Sequence, residues 1–308
     1  YLRGGHNYYT SGNPLVQKGF TLATHPDDLA EGKRAVVYLG GIALKGGNPV
    51  TGNWVLGKNK EAGDVDAPIE ISDVIFEGID FQCPLARNFG DGSATGNYFA
   101  NMYSGGLAVT FESFQLKNCT FQGFTRGFFR VQGPRYKFFK KILVEDCLFY
   151  NQGYYDNNGR GYSWFAGDGK HVKSNLYNDF QMRRCTFYDS PRHALLSDNN
   201  KDLLWGSDIH FNITIENCTF INFSTRSSGR LLFEFRYMPN DSRIAFKNNL
   251  IVLAADPNDK RDLNQSACDF RNVAGEGRVT WDISGNYSLG SRDAHMKDDG
   301  IFPSAAFS

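Results

Sequence analysis

The chain has 308 residues, and its 33 Lys+Arg balance its 33 Asp+Glu, so no net field draws it to nucleic acid or to an anionic membrane. Aromatics at 15% and 33 glycines mark a β-rich, turn-rich composition. No apolar run approaches the roughly 20 residues of a spanning helix, which excludes a helical transmembrane segment.

Read in chain order, Tyr1 to Thr24 is rich in Gly, Asn and Tyr, with Gly19-Phe20-Thr-Leu22 as a candidate first strand. Pro26 to Gly32 reads as one helical turn or a loop, so residues 1–35 are expected to form an N-terminal cap or opening coil. The start, Tyr1-Leu2-Arg3, lacks a basic and apolar leader, and the expectation is a mature or excised chain whose export signal has been removed.

From Val37 onward one phrase recurs: apolar-x-apolar-x-corner-small/apolar-x-apolar. It reads Val37-x-Leu39-x-Gly41-Ile42-x-Leu44, then Val74-x-Phe76-x-Gly78-Ile79-x-Phe81. Leu116-Lys-Asn-Cys-Thr-Phe121, Val144-Glu-Asp-Cys-Leu-Phe149, Met182-Arg-Arg-Cys-Thr-Phe187 and Ile215-Glu-Asn-Cys-Thr-Phe220 follow. Weaker copies are Ile244-x-Phe246-x-Asn248-Asn249-x-Ile251 and Trp281-x-Ile283-x-Gly285-Asn286-x-Ser288. Alternation with period two makes each half a strand with one inward face, and the parity slips at the corner, so the chain must bend there while keeping both apolar pairs inside. Eight such phrases are too short to bury a face alone, which predicts a solenoid. The fold class expected is all-β, a single-stranded right-handed parallel β-helix with long turn insertions. It forms one domain, with rungs over 36–288 and a C-terminal cover over 289–308.

The stacking predicts two columns. Gly41, Gly78, Asn118, Asp146, Arg184, Asn217, Asn248 and Gly285 occupy the corner, where Gly and Asn tolerate left-handed backbone angles and Arg184 is the exception. Cys119, Cys147, Cys185 and Cys218 follow the corner on successive rungs. They are expected as buried free thiols, since parallel in-register side chains fit disulfide geometry poorly and no zinc spacing is present.

Function would be grafted on the long polar segments between rungs. Pro84 to Gly106 carries Arg87, Asn88, Asp91, Asn97, Tyr98, Asn101 and Tyr103. Asn151 to Asp179 carries Tyr154, Tyr155, Tyr162, Trp164, Asp168, Lys170 and His171. Rings mixed with amides and charges suit sugars, whose C–H faces stack on aromatics while hydroxyls meet polar groups. Counted from each register position, Arg126 and Arg192 fall at +7 and Arg226 and Arg87 at +8, with Tyr154 at +7 between the first pair. Equal offsets predict an arginine track along one edge, suited to carboxylates or sulfates. These arginines could instead bond carbonyls of adjacent turns or pair with acids such as Asp189 and Glu234. Asp156-Asn157-Asn158, Asp198-Asn199-Asn200 and Asp256-x-Asn258-Asp259 offer oxygen ligands for Ca²⁺ but follow no EF-hand spacing. No cofactor or metal is therefore expected, Ca²⁺ being the one metal these residues would suit.

The Asn-Cys-Thr-Phe phrases resemble the pectin-lyase-like superfamily of right-handed parallel β-helices, and within it exported carbohydrate-active proteins of Bacteroidetes. The resemblance covers Val36 to Ser288 and rests on core and corner residues. It implies an extracellular, cell-surface or periplasmic protein that binds or cleaves acidic polysaccharides. The hydrolase set is missing, because Asp27-Asp28 and Asp298-Asp299 occur without Gly-His-Gly or Arg-Ile-Lys. The Arg-x-Pro-x-x-Arg of pectate lyases is also absent, and Gly78-Ile-Asp80-Phe81 belongs to the rung register. A lyase needs a base for the proton α to a uronate carboxylate and a cation for the resulting charge. His193, Arg192, Arg230 and Lys170 are the candidates. The sequence thus leads to an exported protein that captures a uronate-containing glycan. A polysaccharide lyase of the same fold and a structural or adhesive solenoid stand as the alternatives.

Overall fold

A computed structural model describes residues 1–10, 12–39, 41–45, 48–50, 54–57, 69–83, 98–102, 109–124, 128–132, 137–150, 164–168, 175–190, 195–198, 209–223, 232–235, 238–253, 268–270 and 279–290. Among them, three long parallel sheets run the length of the molecule. Sheet I stacks Phe20–Ala23, Val74–Glu77, Phe114–Lys117, Ile142–Glu145, Phe180–Arg183, Asn212–Glu216, Arg243–Lys247 and Thr280–Ser284. Sheet II stacks Asn7–Tyr9, Ala35–Tyr38, Ile79–Gln82, Thr120–Gln122, Leu148–Tyr150, Thr186–Ser190, Thr219–Phe223, Leu250–Leu253 and Tyr287–Gly290. Sheet III stacks Leu15–Val16, Trp54–Leu56, Ala100–Met102, Phe129–Gln132, Phe165–Asp168, Leu196–Asp198, Phe233–Phe235 and Cys268–Phe270. A shorter sheet of Ile69–Ile71, Val109–Phe111 and Lys137–Phe139 lies in the chain between sheets III and I. The chain visits I, II and III in turn and then returns to I one strand further along, as a solenoid of stacked coils does.

From the second phrase onward, each is a sheet I strand, a corner of one or two residues and a sheet II strand. Seven of the eight expected corner residues have left-handed backbone, with φ between +50° and +67°. They are Gly78, Asn118, Asp146, Arg184, Asn217, Asn248 and Gly285. Arg184 is tolerated here through its partners. Its Nε donates to Asp146 Oδ1 at 2.7 Å and its Nη2 lies 2.8 Å from Glu145 Oε1, both on the preceding coil. Local ion pairing thus ties two corners together at a position whose backbone conformation an Arg side chain does not favour.

The exception is the first phrase. Ile79 pairs with Ala35 and not with Ile42, while Val74 pairs with Phe20. In this coil the corner is expanded. The helix Pro26–Ala30 sits between the Phe20–Ala23 and Ala35–Tyr38 strands, so the two apolar halves are too far apart in sequence to read as one phrase. Thr24 bridges the gap: its hydroxyl donates to the Gly78 carbonyl at 2.6 Å and accepts the Ala35 N–H at 3.1 Å. Gly41–Lys45 forms an antiparallel pair with Asn48–Val50 instead of a rung. The first 35 residues already lay the opening strands of all three sheets.

The interior is a set of columns. Phe81, Phe121, Phe149, Phe187 and Phe220 stack ring on ring, with centroids 5.4, 4.9, 4.4 and 5.4 Å apart. Cys119, Cys147, Cys185 and Cys218 are buried and free, and their thiols reach the carbonyls of Lys117, Glu145, Arg183 and Glu216 at 3.2–3.3 Å. Burial pushes the Cys119 and Cys185 thiols well up from their usual range. Asn249 and Asn286 continue the column. Asn249 Oδ1 accepts the Cys218 N–H at 2.9 Å, and Asn286 Oδ1 accepts the Asn249 N–H at 3.0 Å.

Outside, each sheet has its own character. The outer row of sheet I runs Glu77, Lys117, Glu145, Arg183, Glu216 and Lys247, alternating in sign coil by coil. Arg183 Nε lies 2.9 Å from Glu216 Oε1. In-register stacking sets these positions about 4.8 Å apart, so a run of one sign would repel. Sheet II carries half-buried Tyr38, Gln82, Gln122, Tyr150 and Tyr188 in one row.

Candidate functional site

Sheet III differs from the other two in that four of its outward positions, Val55, Asn101, Ala166 and Ser197, are closed off from solvent, while Arg130 is half-buried. The register row is Val55, Asn101, Arg130, Ala166, Ser197, Glu234 and Asp269. The inward neighbours Phe129, Phe165, Leu196 and Phe233 belong to the core cluster, whereas Val55, Asn101, Ala166 and Ser197 are buried outside it. Outward positions on sheet II, such as Thr120, Leu148 and Thr186, are only half-buried. The row therefore mixes polar and apolar residues along the solenoid axis, with Asn101 and Ser197 sheltered.

Several contacts fix its geometry. Arg130 Nη1 donates to the Tyr98 hydroxyl at 2.8 Å, and the guanidinium stands 5.8 Å from the centre of that ring, a cation–π separation. From inside, Tyr177 clamps two strands of the sheet. Its Oη lies 2.8 Å from the carbonyls of both Phe165 and Ser197 and accepts the Ser197 N–H at 3.1 Å. Burial pushes the Tyr177 phenol well up, with the nearby Asp198 carboxylate adding to the shift, so it stays a neutral hydrogen-bonding group. Asn175, fully buried, accepts the Tyr177 N–H at 2.8 Å and donates to the His210 carbonyl at 3.1 Å. Asp198 is buried at the end of its strand, over Gly167 of the preceding coil. A Cβ at Gly167 would meet Asp198 Oδ2 at 2.5 Å, so any larger residue there would have to displace the Asp198 carboxylate.

Of the residues singled out for sugar contact, Trp164 is the one within the described residues, and its place differs from expectation. It is 1% exposed, with its ring against Phe149, Phe187 and Phe128. Trp164 directly precedes the sheet III strand Phe165–Asp168, as Phe128 precedes Phe129–Gln132. It is thus a member of an interior column, not a surface platform. Tyr98 and Asn101, from the first polar segment, are also buried. Both polar segments contain a sheet III strand whose three or four residues carry too weak an apolar signature to stand out: Ala-Asn-Met at 100–102 and Phe-Ala-Gly-Asp at 165–168. The signal that could have found them is the single large aromatic just before each strand, Phe99 and Trp164.

Arg87, Arg126, Tyr154, Tyr155, Tyr162, Lys170, Arg192, His193, Arg226 and Arg230 lie outside the described residues. The strands that flank them are described. Arg87 falls between Ile79–Gln82 and Ala100–Met102, and Arg126 between Thr120–Gln122 and Phe129–Gln132. Tyr154, Tyr155 and Tyr162 fall between Leu148–Tyr150 and Phe165–Asp168. Arg192 and His193 fall between Thr186–Ser190 and Leu196–Asp198, and Arg226 and Arg230 between Thr219–Phe223 and Phe233–Phe235. Every one of these connections leaves sheet II and enters sheet III, on five successive coils. Lys170 belongs instead to the segment that follows the sheet III strand Phe165–Asp168. Among the described residues no group of three or more His, Cys, Asp or Glu side chains could hold a metal ion, and no helix is long and apolar enough to cross a membrane. The chain matches no family model, no curated protein and no solved structure.

Proposed function

We propose that this chain is an exported right-handed β-helix of the pectin-lyase-like kind that captures an acidic, uronate-containing polysaccharide along the edge where sheet II passes into sheet III. The observation that carries the reading is the chain order of that edge. Five consecutive connections between the same two sheets contain Arg87, Arg126, the Tyr154/Tyr155/Tyr162 group, Arg192 with His193, and Arg226 with Arg230. Successive coils are spaced about 4.8 Å apart. An extended polyanion lying along the axis would therefore meet a new cation or ring at nearly every coil. Guanidinium forks take carboxylates bidentately, and tyrosine rings take the apolar faces of sugars.

Affinity electrophoresis against polygalacturonate, alginate, hyaluronan and chondroitin sulfate tests the reading, with the ultraviolet absorbance of unsaturated uronate ends followed in parallel. Capture predicts retardation by at least one polyanion, weakened by added salt and by the triple substitution Arg126→Gln, Arg192→Gln, Arg226→Gln, with no absorbance growth. Absorbance growth would convert the assignment to a lyase, with His193, Arg192, Arg230 and Lys170 as its candidate base and cation. Retention of none of the four would overturn glycan capture and leave the structural solenoid.

A further inference from the structure

The outward row of sheet II nearest its passage into sheet III runs Tyr9, Tyr38, Gln82, Gln122, Tyr150, Tyr188, Ile221 and Val252. None of these residues is charged, whereas the outer row of sheet I alternates Glu with Lys or Arg. The row is open to solvent: Tyr9 is 52% exposed and the others are half-buried. Tyr9 stacks on Tyr38 at 4.8 Å, and Tyr150 on Tyr188 at 5.1 Å. The ring faces are thus turned toward each other along the axis, and the hydroxyls stand at the outer tips. Among the described residues, the Tyr9, Tyr38 and Tyr188 hydroxyls and the Gln82 amide have no hydrogen-bond partner. Tyr150 Oη donates to Gln122 Oε1 at 3.0 Å, which leaves the Gln122 Nε2 donors available. From Tyr9 to Tyr188 the row spans about 24 Å.

An alternating charge ladder is what a solvated sheet face needs, while a Tyr-rich face without Lys or Glu has the composition of an interface. Polar groups repeated once per coil suit a partner that presents uncharged hydroxyls at a regular spacing. Gln82, Gln122 and Tyr150 end the strands from which the connections carrying Arg87, Arg126 and Tyr154 depart, so the row borders the edge assigned above to the polyanion. We infer that Tyr9 to Tyr188 form a hydroxyl-reading strip of the glycan site, bonding hydroxyls along one side of a polysaccharide whose carboxylates face the arginine connections. This rests on the capture reading above and adds the feature selected: a long chain with free hydroxyls over about 24 Å. A chain whose hydroxyls are blocked leaves the phenols and amides covered but unpaired, and is rejected for that reason.

The test changes the row without touching the arginines. Tyr38→Phe, Gln82→Leu, Tyr188→Phe in one chain removes three polar groups that have no partner among the described residues. Its Tm should stay within about 3 °C of the parent, and Tyr38→Phe, Tyr188→Phe serves as the second variant should the triple one not fold. On whichever of polygalacturonate, alginate, hyaluronan or chondroitin sulfate retains the parent in affinity electrophoresis, the variant should be held at least about tenfold more weakly. O-acetylating that polymer should weaken the parent by a similar factor and leave the variant nearly unchanged. Equal retention of parent and variant, or equal losses on acetylation, would overturn the inference and leave the capture reading standing. A dimer in sedimentation that the variant disperses would also overturn it, assigning the row to a second copy of this chain. A parent retained on none of the polymers would overturn the capture reading and this inference with it.

Discussion

Replacing Asn217 isolates the corner from the packing around it. Its φ is +56° and its side chain is exposed, while its N–H donates to the Lys247 carbonyl at 3.0 Å, a bond every substitution except proline keeps. What changes is the backbone's ease in the left-handed region. A residue with a Cβ and no local polar side chain is disfavoured there by about 1–2 kcal/mol, and β-branching adds crowding. Glycine removes the steric penalty but gives the unfolded chain more freedom, an opposing effect of about 0.5–1 kcal/mol. The expected order is therefore Asn217→Gly close to the parent, Asn217→Ala lower by about 1 kcal/mol and Asn217→Val lower by about 2 kcal/mol. Thr214→Val, on the outward side of the same strand, is the control and should stay within about 0.5 kcal/mol. Urea denaturation followed by circular dichroism reads all four midpoints. If Asn217→Val matched Asn217→Gly, the corner would not be held left-handed, and the parity slip in the phrase would need another cause.

Phe149→Ala empties a site with 0% exposure between rings at 4.9 and 4.4 Å. It should cost about 3–5 kcal/mol, and a loss below about 1 kcal/mol in chemical denaturation would show that the column is not packed as described. Lys117→Glu sets three glutamates, at 77, 117 and 145, side by side on sheet I. The variant should lose about 1 kcal/mol at low salt and recover most of it in high salt; a deficit that ignores salt would argue against the charge ladder. Asp28 accepts from Arg3 Nε at 2.7 Å and from the Gly4 N–H at 2.8 Å. These contacts hold its carboxyl well below the usual carboxylate range. With the folded value depressed, the stabilisation is complete above about pH 4 and is lost as the pH falls toward the folded value. Asp28→Asn should therefore lower the midpoint at pH 7 and flatten the fall between pH 4 and pH 2, and an unchanged acid slope in thermal melts would show that the Arg3 and Gly4 contacts of Asp28 do not stabilise the fold.

The parts of the fold that were legible in the sequence are those where one residue type answers one physical demand on every coil. The corner needs left-handed backbone, so Asn118, Asn217 and Asn248 announce it, and the column behind it needs a small apolar group, so Cys119, Cys147, Cys185 and Cys218 repeat. Sheet III was hidden because its strands follow connections of varying length and because Asn101, Ala166, Gly167, Ser197 and Asp198 give it no apolar alternation. Its outward row mixes buried Val55, Asn101, Ala166 and Ser197 with half-buried Arg130, so it lacks the regular polar alternation that marks a solvent-facing strand. That is why Trp164 read as part of a polar loop when it fills the interior. The first phrase misled for a different reason: the helix Pro26–Ala30 splits the true opening phrase, and Val37 to Leu44 offered an accidental match.

The most direct test of the stacked-coil account is a set of spin-label distances along one outer row of sheet II, read by pulsed dipolar spectroscopy. Asn7, Thr120 and Tyr287 lie in that row, with Val36 and Asp80 between the first two and Leu148, Thr186, Thr219 and Leu250 between the last two. At about 4.8 Å per coil, labels at 7 and 120 should lie about 14 Å apart, at 120 and 287 about 24 Å, and at 7 and 287 about 38 Å, before the label arms are counted. Distances that add along a line in that proportion are the account's prediction. A separation between 7 and 287 close to or below that between 120 and 287 would mean that the chain folds back on itself, and the solenoid would be wrong.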